Sequence, residues 1–155
     1  MALAHNIAIV VGSFHRQQAD FMLATAVKTA SNIGLTISQI VRVPGSMEKP
    51  LALKRLLRES SIDGAIVLGI IEQGQTAHGL VMGQAVMNAI LDLQLNLMKP
   101  IGVGILGPDI RLDQVAERLE PYAKNAVIAV HHMLNVQIEE NVGNGVPSKL
   151  TASKD

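Results

Sequence analysis

The sequence predicts an α/β protein, a three-layer α/β/α sandwich around a four-stranded parallel sheet. Short apolar runs rich in β-branched residues alternate with segments whose apolar residues recur at helical spacing. This order, strand then helix four times and then one more helix, is typical of parallel strands joined by helical crossovers. The length of 155 residues suits one domain. We expect that domain at residues 1–140, and a flexible polar tail at 141–155.

The first half of the chain supplies two strands and two helices. Asn6–Val11 is a short apolar run, which is typical of a strand buried on both faces. Arg16–Ile33 carries an apolar stripe at helical spacing and is followed by a glycine, which indicates a helix and its end. Leu35–Val43 alternates apolar and polar residues and therefore predicts an edge strand with one wetter face. Pro50–Glu59 predicts a helix with leucines on one face and basic residues on the other.

The second half supplies two more buried strands and three helices. The strands are predicted at Gly64–Ile71 and Ile101–Leu106, and the helices at Thr76–Leu97, Arg111–Leu119 and Tyr122–Ile138. Gly64–Ile71 is the most apolar run, so we expect it at the centre of the sheet. The inner face of the long helix is assigned to Leu80, Met87, Ile90 and Leu91. Pro121 is expected to separate the last two helices.

Composition excludes several functional classes. The 13 basic and 13 acidic residues give zero formal net charge, so we expect neither nucleic acid nor membrane as a partner. The lack of cysteine excludes disulfides, thiol nucleophiles and cysteine metal sites. No segment is long enough to span a bilayer and no secretory signal is evident, so a cytoplasmic location is expected. Charged residues make up 17% of the chain, against roughly 25% in a typical domain. This low charge favours a homo-oligomer that buries part of its surface.

Ligands of parallel α/β sheets bind beyond the carboxyl ends of the strands. The corresponding loops here are Gly12–Arg16, Pro44–Pro50, Glu72–His78 and Gly107–Arg111. In the first loop, Phe14 either covers the end of a helix or forms a stacking platform for a planar ring. Phe21 lies inside the following helix and is expected in the core, and His15 has no evident partner.

The second loop contains a sharp turn at Pro44-Gly45. This turn directs the amides of Ser46, Met47 and Glu48, which can hydrogen-bond the polar edge of a ring. The Glu48 carboxylate can accept hydrogen bonds from hydroxyl groups. Alternatively, the segment is only the turn at which a helix begins, with Glu48 favourable near the helix N-terminus.

The third loop, Glu72–His78, is the most informative. Gly74, Gln75 and Thr76 precede a helix, so their amides lie at its positive end, where phosphate binds readily. The same helix dipole favours the neutral imidazole that a base needs at His78. A capping turn with a surface histidine is the alternative interpretation. Arg118, further along, is either a bidentate phosphate ligand or a solvated residue.

Four segments, in this order, resemble lumazine synthases of the archaeal type. They are IVVGSFH, VRVPGSMEKPLALKRLL, DGAIVLGIIEQGQTAH and KPIGVGILGPDIRLDQVAERLEPYAKNAV. The resemblance runs from Ile7 to Leu134 and implies a flavodoxin-like sheet. It also implies condensation of 5-amino-6-(D-ribitylamino)uracil with 3,4-dihydroxy-2-butanone 4-phosphate. The product is 6,7-dimethyl-8-ribityllumazine, and the reaction is the penultimate step of riboflavin biosynthesis. The resemblance thus implies a transferase that uses neither a cofactor nor a metal.

The same resemblance implies the site residues and the assembly. The uracil and ribityl groups are assigned to Phe14, Ser46, Met47, Glu48, Ile70, Ile71, Glu72, Val103 and Lys124. The phosphate is assigned to Gln75, Thr76 and Arg118, and proton transfer is assigned to His78. Arg118, Val103 and Lys124 are expected from a neighbouring subunit, because the family forms homopentamers with sites between subunits. Some members close twelve pentamers into an icosahedral capsid.

Four residues depart from the family pattern. His15 replaces the usual Asn, and Met47 replaces the usual Phe. Glu72 stands where an apolar residue is usual, and Gln75 stands where Glu or Ala is common. Backbone-amide roles survive the changes at Met47 and Gln75. Two further hypotheses are kept beside the enzyme. One is a non-catalytic relative that binds a flavin or pterin-like ligand or forms a shell. The other is the archaeal riboflavin synthase. That enzyme has no phosphate to bind, so the predicted phosphate-binding segment Gly74–His78 argues against it.

Overall fold

A computed structural model of the protein describes residues 4–136. It contains four strands: β1 (Asn6–Gly12), β2 (Thr36–Val43), β3 (Gly64–Glu72) and β4 (Ile101–Ile110). All neighbouring strands pair in parallel, in the order β2-β1-β3-β4. The predicted edge strand β2 is therefore at an edge, and the most apolar run, β3, is an interior strand. The expected tail at residues 141–155 lies outside the described residues.

Four helices cover the two faces of the sheet. They are α1 (Arg16–Asn32), α2 (Lys49–Leu57), α3 (His78–Leu97) and α4 (Leu119–Asn135). One hydrophobic core lies between the sheet and α1 and α4, and a second lies between the sheet and α2 and α3. The described chain is thus the predicted three-layer α/β/α sandwich.

The alternation of side chains along β1 divides its apolar residues between the two cores. Ile7, Ile9 and Val11 join the core under α1 and α4, whereas Ala8 and Val10 join the core under α2 and α3. Every residue from Ile7 to Val11 is fully buried. A strand with helices on both faces needs apolar residues at consecutive positions, which explains the unbroken run in the sequence.

Three predictions about the fourth strand and the elements after it were wrong. β4 continues to Ile110, so Gly107-Pro108 lies within the strand and not in a loop. The predicted helix Arg111–Leu119 is a pair of short 3₁₀ turns. The last helix begins at Leu119 and includes Pro121, which did not interrupt it. Proline is tolerated in the first helical turn because the amides there have no intrahelical acceptor.

The inner faces of two helices also differ from the prediction. Leu80 and Leu91 are 44% and 49% exposed. The helix α3 buries Gly83, Val86 and Ile90, of which Ile90 was predicted. This helix is apolar on nearly all sides, so periodicity alone did not identify the face that packs. Phe21, expected in the core, is 50% exposed, because α1 packs through Ala19, Met22, Ala26 and Ala30, and Phe21 lies outside that stripe.

Candidate active site

A cleft of about 380 Å³ opens at the carboxyl edge of the sheet, as the fold predicts. Nine of the predicted site residues line it: Phe14, Ser46, Met47, Glu48, Ile70, Ile71, Glu72, Thr76 and His78. They come from the ends of β1 and β3, the turn after β2 and the start of α3. The fold therefore brings together residues that are separated by more than sixty positions in the sequence.

The aromatic side of the cleft is formed by Phe14, whose side chain is 69% exposed. The ring lies against Gly45, where a Cβ atom would stand 3.0 Å from Phe14 Cε2. The loop is attached to the end of β2, because Ser13 donates backbone and side-chain hydrogen bonds to the Val43 carbonyl at 2.9 and 3.0 Å. The exposed ring is thus held in place by its loop and not by burial.

The turn after β2 is fixed by its own hydrogen bonds. Glu48 Oε2 accepts a 2.9 Å bond from the Gly45 amide, which closes a 3₁₀ turn over Ser46–Glu48. Ser46 is buried, and Met47 extends outward with 63% of its side chain exposed. The amides of this turn are therefore held in a set direction at the cleft, as Pro44-Gly45 predicted.

The end of β3 places Glu72 beside His15. His15 Nε2 lies 3.5 Å from Glu72 Oε1, and both residues line the cleft. No partner for His15 was evident from the sequence, so this pair corrects that expectation. His15 lies in the loop after β1, and Glu72 is the last residue of β3. The parallel pairing of these two strands brings the loop and the strand end to one edge of the sheet.

The start of α3 forms the most open side of the cleft. All residues from Glu72 to His78 are exposed, and the Thr76 hydroxyl accepts a 3.3 Å hydrogen bond from the His78 amide. The helix begins at His78 and not, as predicted, at Thr76. Gln75 lines a neighbouring cavity of about 270 Å³ together with Asp109.

Besides Gln75, three predicted site residues do not line the cleft of their own chain: Val103, Arg118 and Lys124. Val103 is half-buried in β4. Arg118 donates a 2.7 Å hydrogen bond to the Gln114 carbonyl and pairs with Glu117. Lys124 pairs with Glu120 one helical turn earlier, and this pairing lowers the pKa of the Glu120 carboxyl.

Sequence reasoning missed Lys49, which lies at the base of the same turn. Its side chain is 1% exposed, and Nζ donates a 3.1 Å hydrogen bond to Ser46 Oγ. Burial lowers the pKa of Lys49 to about 8, against the opposing effect of the Glu48 carboxylate. A lysine next to a proline in a turn is ordinarily solvated, so no local pattern predicted its burial.

Within residues 4–136, no three His, Cys, Asp or Glu side chains converge as metal ligands would. The helices in that range are also too short or too polar to cross a membrane. The cleft combines an exposed aromatic ring, fixed backbone amides and a histidine at a helix start. With the parallel sheet behind it, this arrangement defines an α/β enzyme that acts on a small polar molecule.

The chain belongs to the 6,7-dimethyl-8-ribityllumazine synthase family, whose model matches residues 4–137. The family, the α/β fold and the transferase class expected from the sequence are thereby confirmed. Nothing in the structure or in these similarities favours the non-catalytic relative or the riboflavin synthase.

Named relatives agree with the family assignment. The 6,7-dimethyl-8-ribityllumazine synthase of Staphylothermus marinus is 37% identical over 84% of this chain and 87% of its own length. The enzyme of Methanococcus maripaludis is 35% identical over 83% of this chain and 93% of its own length. A solved diflavin flavoprotein A3 from Nostoc sp. matches with a TM-score of 0.43 and 9% identity over 86% of this chain and 96% of its own. That match is too remote for any functional conclusion.

Proposed function

We propose that this chain condenses 5-amino-6-(D-ribitylamino)uracil with 3,4-dihydroxy-2-butanone 4-phosphate to form 6,7-dimethyl-8-ribityllumazine. The observation that carries the proposal is the single cleft in which Phe14, the turn Ser46–Glu48 and His78 meet in a chain of this family. An amine attacks a ketone, an imine forms with loss of one water, phosphate is eliminated, and the ring closes with loss of a second water. These steps need proximity and proton transfer rather than a nucleophilic side chain.

The pyrimidine is assigned to the more rigid side of the cleft. Phe14 stacks on the ring, since its face is exposed and its loop is fixed. The amides and side chains of Ser46, Met47 and Glu48 bind the uracil and ribityl groups. The end of β3, with Ile70, Ile71 and Glu72, lines the edge of the ring.

The phosphate is assigned to the start of α3. The amides of Gln75 and Thr76 precede the helix and lie at its positive end, where an anion is stabilised. His78, the first residue of the helix, faces the same cleft and transfers protons between the reacting groups. The start of α3 lies close to the end of β3, since a Cβ atom at Gly79 would be 3.0 Å from the Glu72 carbonyl oxygen. Phosphate binding and proton transfer both depend on this position beside the cleft.

The site is completed by a neighbouring subunit. Arg118 supplies a guanidinium for the phosphate, and Val103 and Lys124 contact the pyrimidine substrate across the interface. This assignment accounts for the absence of all three from the cleft of their own chain. The outer face of α3 exposes Leu80, Val81, Leu91 and Leu95, an apolar surface suited to a subunit interface. The assembly is a homopentamer, alone or in a capsid of twelve, in the cytoplasm.

The test is a spectrophotometric assay with both substrates, with each substrate omitted in turn as the control. We expect the lumazine absorbance to appear only when both are present. His78→Ala should slow turnover by roughly ten- to a thousandfold with the assembly intact, because positioning alone still supplies much of the rate. A well-folded oligomer that forms no product would refute the proposed reaction.

Mixed assemblies test the shared site. His78→Ala and Arg118→Ala chains, each impaired alone, should regain part of the activity when they are dissociated and reassembled together. Some interfaces of such a mixture combine an intact His78 with an intact Arg118. If the site lies within one chain, mixing should give only the average of the two variants.

A further inference from the structure

Lys49 is a buried cation beside the proposed pyrimidine site, and the roles given above do not use it. It is the first residue of α2 and directly follows the turn Ser46–Glu48. The side chain is 1% exposed, yet long basic side chains ordinarily extend to solvent. Its hydrogen bond to Ser46 Oγ, 3.1 Å long, connects the buried cation to a residue that lines the cleft.

Two glycines make the space that this side chain occupies. A Cβ atom at Gly69 on β3 would stand 2.1 Å from Lys49 Nζ. A Cβ atom at Gly12 on β1 would lie 3.5 Å from the same nitrogen. The ammonium group therefore lies directly on the backbone of the two interior strands. The space that the Lys49 side chain fills is thus bounded by β1, by β3 and by the turn Ser46–Glu48.

This arrangement is costly for stability. Burial lowers the pKa of Lys49 to about 8, so the side chain is still mostly charged at neutral pH. A buried charge with few partners destabilises a fold, and an apolar side chain of similar length often stabilises it. Residues that reduce stability in this way are typical of functional sites.

The hydrogen bond has a direction that matters for Ser46. An ammonium group only donates, whereas a hydroxyl has one hydrogen to donate and two lone pairs that accept. When Nζ donates to Ser46 Oγ, the serine hydrogen is free to point elsewhere. Because Ser46 lines the cleft, that hydrogen can be donated to an acceptor atom of a bound ring. A charged donor also strengthens the next bond in such a chain.

We propose that Lys49 is a positioning residue that fixes the Ser46 hydroxyl as a hydrogen-bond donor to the pyrimidine substrate. The inference rests on the proposed function, since it takes the ring of that substrate as the acceptor. It concerns substrate affinity and not the chemical step. A carbonyl oxygen of the uracil is the class of acceptor that this geometry favours.

The protonation state of Lys49 gives the arrangement a pH dependence. A neutral amine can accept a hydrogen bond, so above pH 8 the serine hydrogen can turn toward Nζ and away from the substrate. The charged group that faces Nζ is Glu48 in the same turn, and β1 and β3 present Gly12 and Gly69. His15, Glu72 and His78 are further titratable residues that line the same cleft.

The first experiment compares Lys49→Met with Lys54→Met, a control on the exposed side of α2. Binding of the pyrimidine substrate is measured by calorimetry from pH 6.5 to 9.5, and KM for both substrates is measured at pH 7. We expect Lys49→Met to weaken pyrimidine binding about tenfold, as the loss of one charge-assisted bond does. KM for the phosphate substrate should change less than twofold, and the control should match the wild type.

The pH series separates positioning from a structural role. Wild-type affinity for the pyrimidine should fall above pH 8, whereas that of Lys49→Met should stay flat. Equal losses for both substrates, or an unchanged pH dependence in the variant, would overturn the proposal. Ser46→Ala and the double variant Ser46→Ala/Lys49→Met provide a second route. The double variant should bind no more weakly than Ser46→Ala alone, and additive losses would contradict action through Ser46.

Calorimetry also distinguishes this proposal from the proposed function, because binding needs no turnover. If the wild type binds the pyrimidine but makes no lumazine, the proposed reaction fails and the role of Lys49 is still decided by the variants. If turnover is normal and Lys49→Met binds like the wild type, only the role of Lys49 fails. If the wild type does not bind the pyrimidine, both proposals are wrong.

Discussion

The two turns that border the cleft differ in how they are held. The turn after β2 is closed by the bond from the Gly45 amide to Glu48 and is supported below by Lys49 and Ser46, both buried. The turn after β3 is exposed from Glu72 to His78, with a 3.3 Å bond from the His78 amide to the Thr76 hydroxyl. One side of the cleft is preformed, and the other is open.

This difference matches the two substrates assigned to these turns. A flat ring with several polar edge atoms is discriminated best by donors that are already in place. A phosphate is bound by backbone amides and cationic side chains, and these can come from separate parts of a protein. One of them, Arg118, is assigned to a neighbouring subunit. The comparison therefore predicts that changes at the first turn affect stability and ring binding, whereas changes at the second affect phosphate binding and catalysis.

The largest effect on stability should come from pH. The pKa of Lys49 is lowered from 10.5 to about 8 in the folded chain, so between these values the unfolded chain binds more protons than the folded one. The free energy of unfolding should then rise with pH across this window, by about 3 kcal/mol in all. Denaturant titrations at fixed protein concentration measure it. Lys49→Met should be more stable at neutral pH and lack this rise, and an identical slope in both proteins would contradict the burial of a charge.

Glycine substitutions compare the buried lysine that supports the first turn with the open second turn. Gly69→Ala should cost about 2 kcal/mol of unfolding free energy, because its Cβ atom would displace Lys49 Nζ from a packed interior. Gly74→Ala, where no atom lies within 4 Å of the new Cβ, is the matched control and should stay within about 0.5 kcal/mol. Adding Lys49→Ala to Gly69→Ala should recover part of the loss. Equal costs at the two glycines would show that the first turn is not the more tightly packed.

Arg118→Ala tests whether the open turn depends on a neighbour. We expect KM for the phosphate substrate to rise about tenfold, equivalent to about 1.4 kcal/mol, with little change for the pyrimidine. Arg111→Ala is the control, since Arg111 is an exposed arginine that pairs with a nearby carboxylate, Asp113, as Arg118 pairs with Glu117. Steady-state kinetics with each substrate varied in turn provides the measurement. Equal losses for both substrates would argue against a phosphate role.

The smallest effects should come from the two hydrogen bonds that close the turns. Glu48→Ala removes the acceptor of the 2.9 Å bond from Gly45 and should cost about 1 kcal/mol. Thr76→Ala removes the longer, exposed bond to the His78 amide and should cost at most about half as much. Thermal or chemical denaturation resolves the difference, and Glu48→Gln, which keeps an acceptor, should behave like the wild type. A larger loss at Thr76 would reverse the comparison.

Most of the fold followed from local patterns, and the exceptions have physical reasons. Strands such as β3 were recognised because burial on both faces demands an unbroken apolar run. The region after β4 was misassigned because Pro121 is compatible with a first helical turn, a position that sequence does not distinguish from a helix end. The inner face of α3 was misassigned because this helix also carries apolar residues, such as Leu80 and Leu91, outside the face that it buries.

The candidate site was predictable where a residue of suitable chemistry follows directly after a recognisable strand. Phe14, the turn after Pro44-Gly45, and His78 each follow a recognisable strand, and the sheet rule placed them at one edge. The pair His15 and Glu72 was not predictable, because it depends on how the loop after β1 lies against the end of the neighbouring strand β3.

By itself the sequence determined the family, the order of the four strands and four α-helices, and most of the residues that line the cleft. These properties depend on local periodicity and on short ordered motifs. Only the tertiary structure decided that Lys49 is buried and that its charge lies against the glycines of β1 and β3. The reason is physical: burial and pKa depend on the atoms that surround a side chain, and residues 12, 46 and 69 approach position 49 only after the sheet has formed.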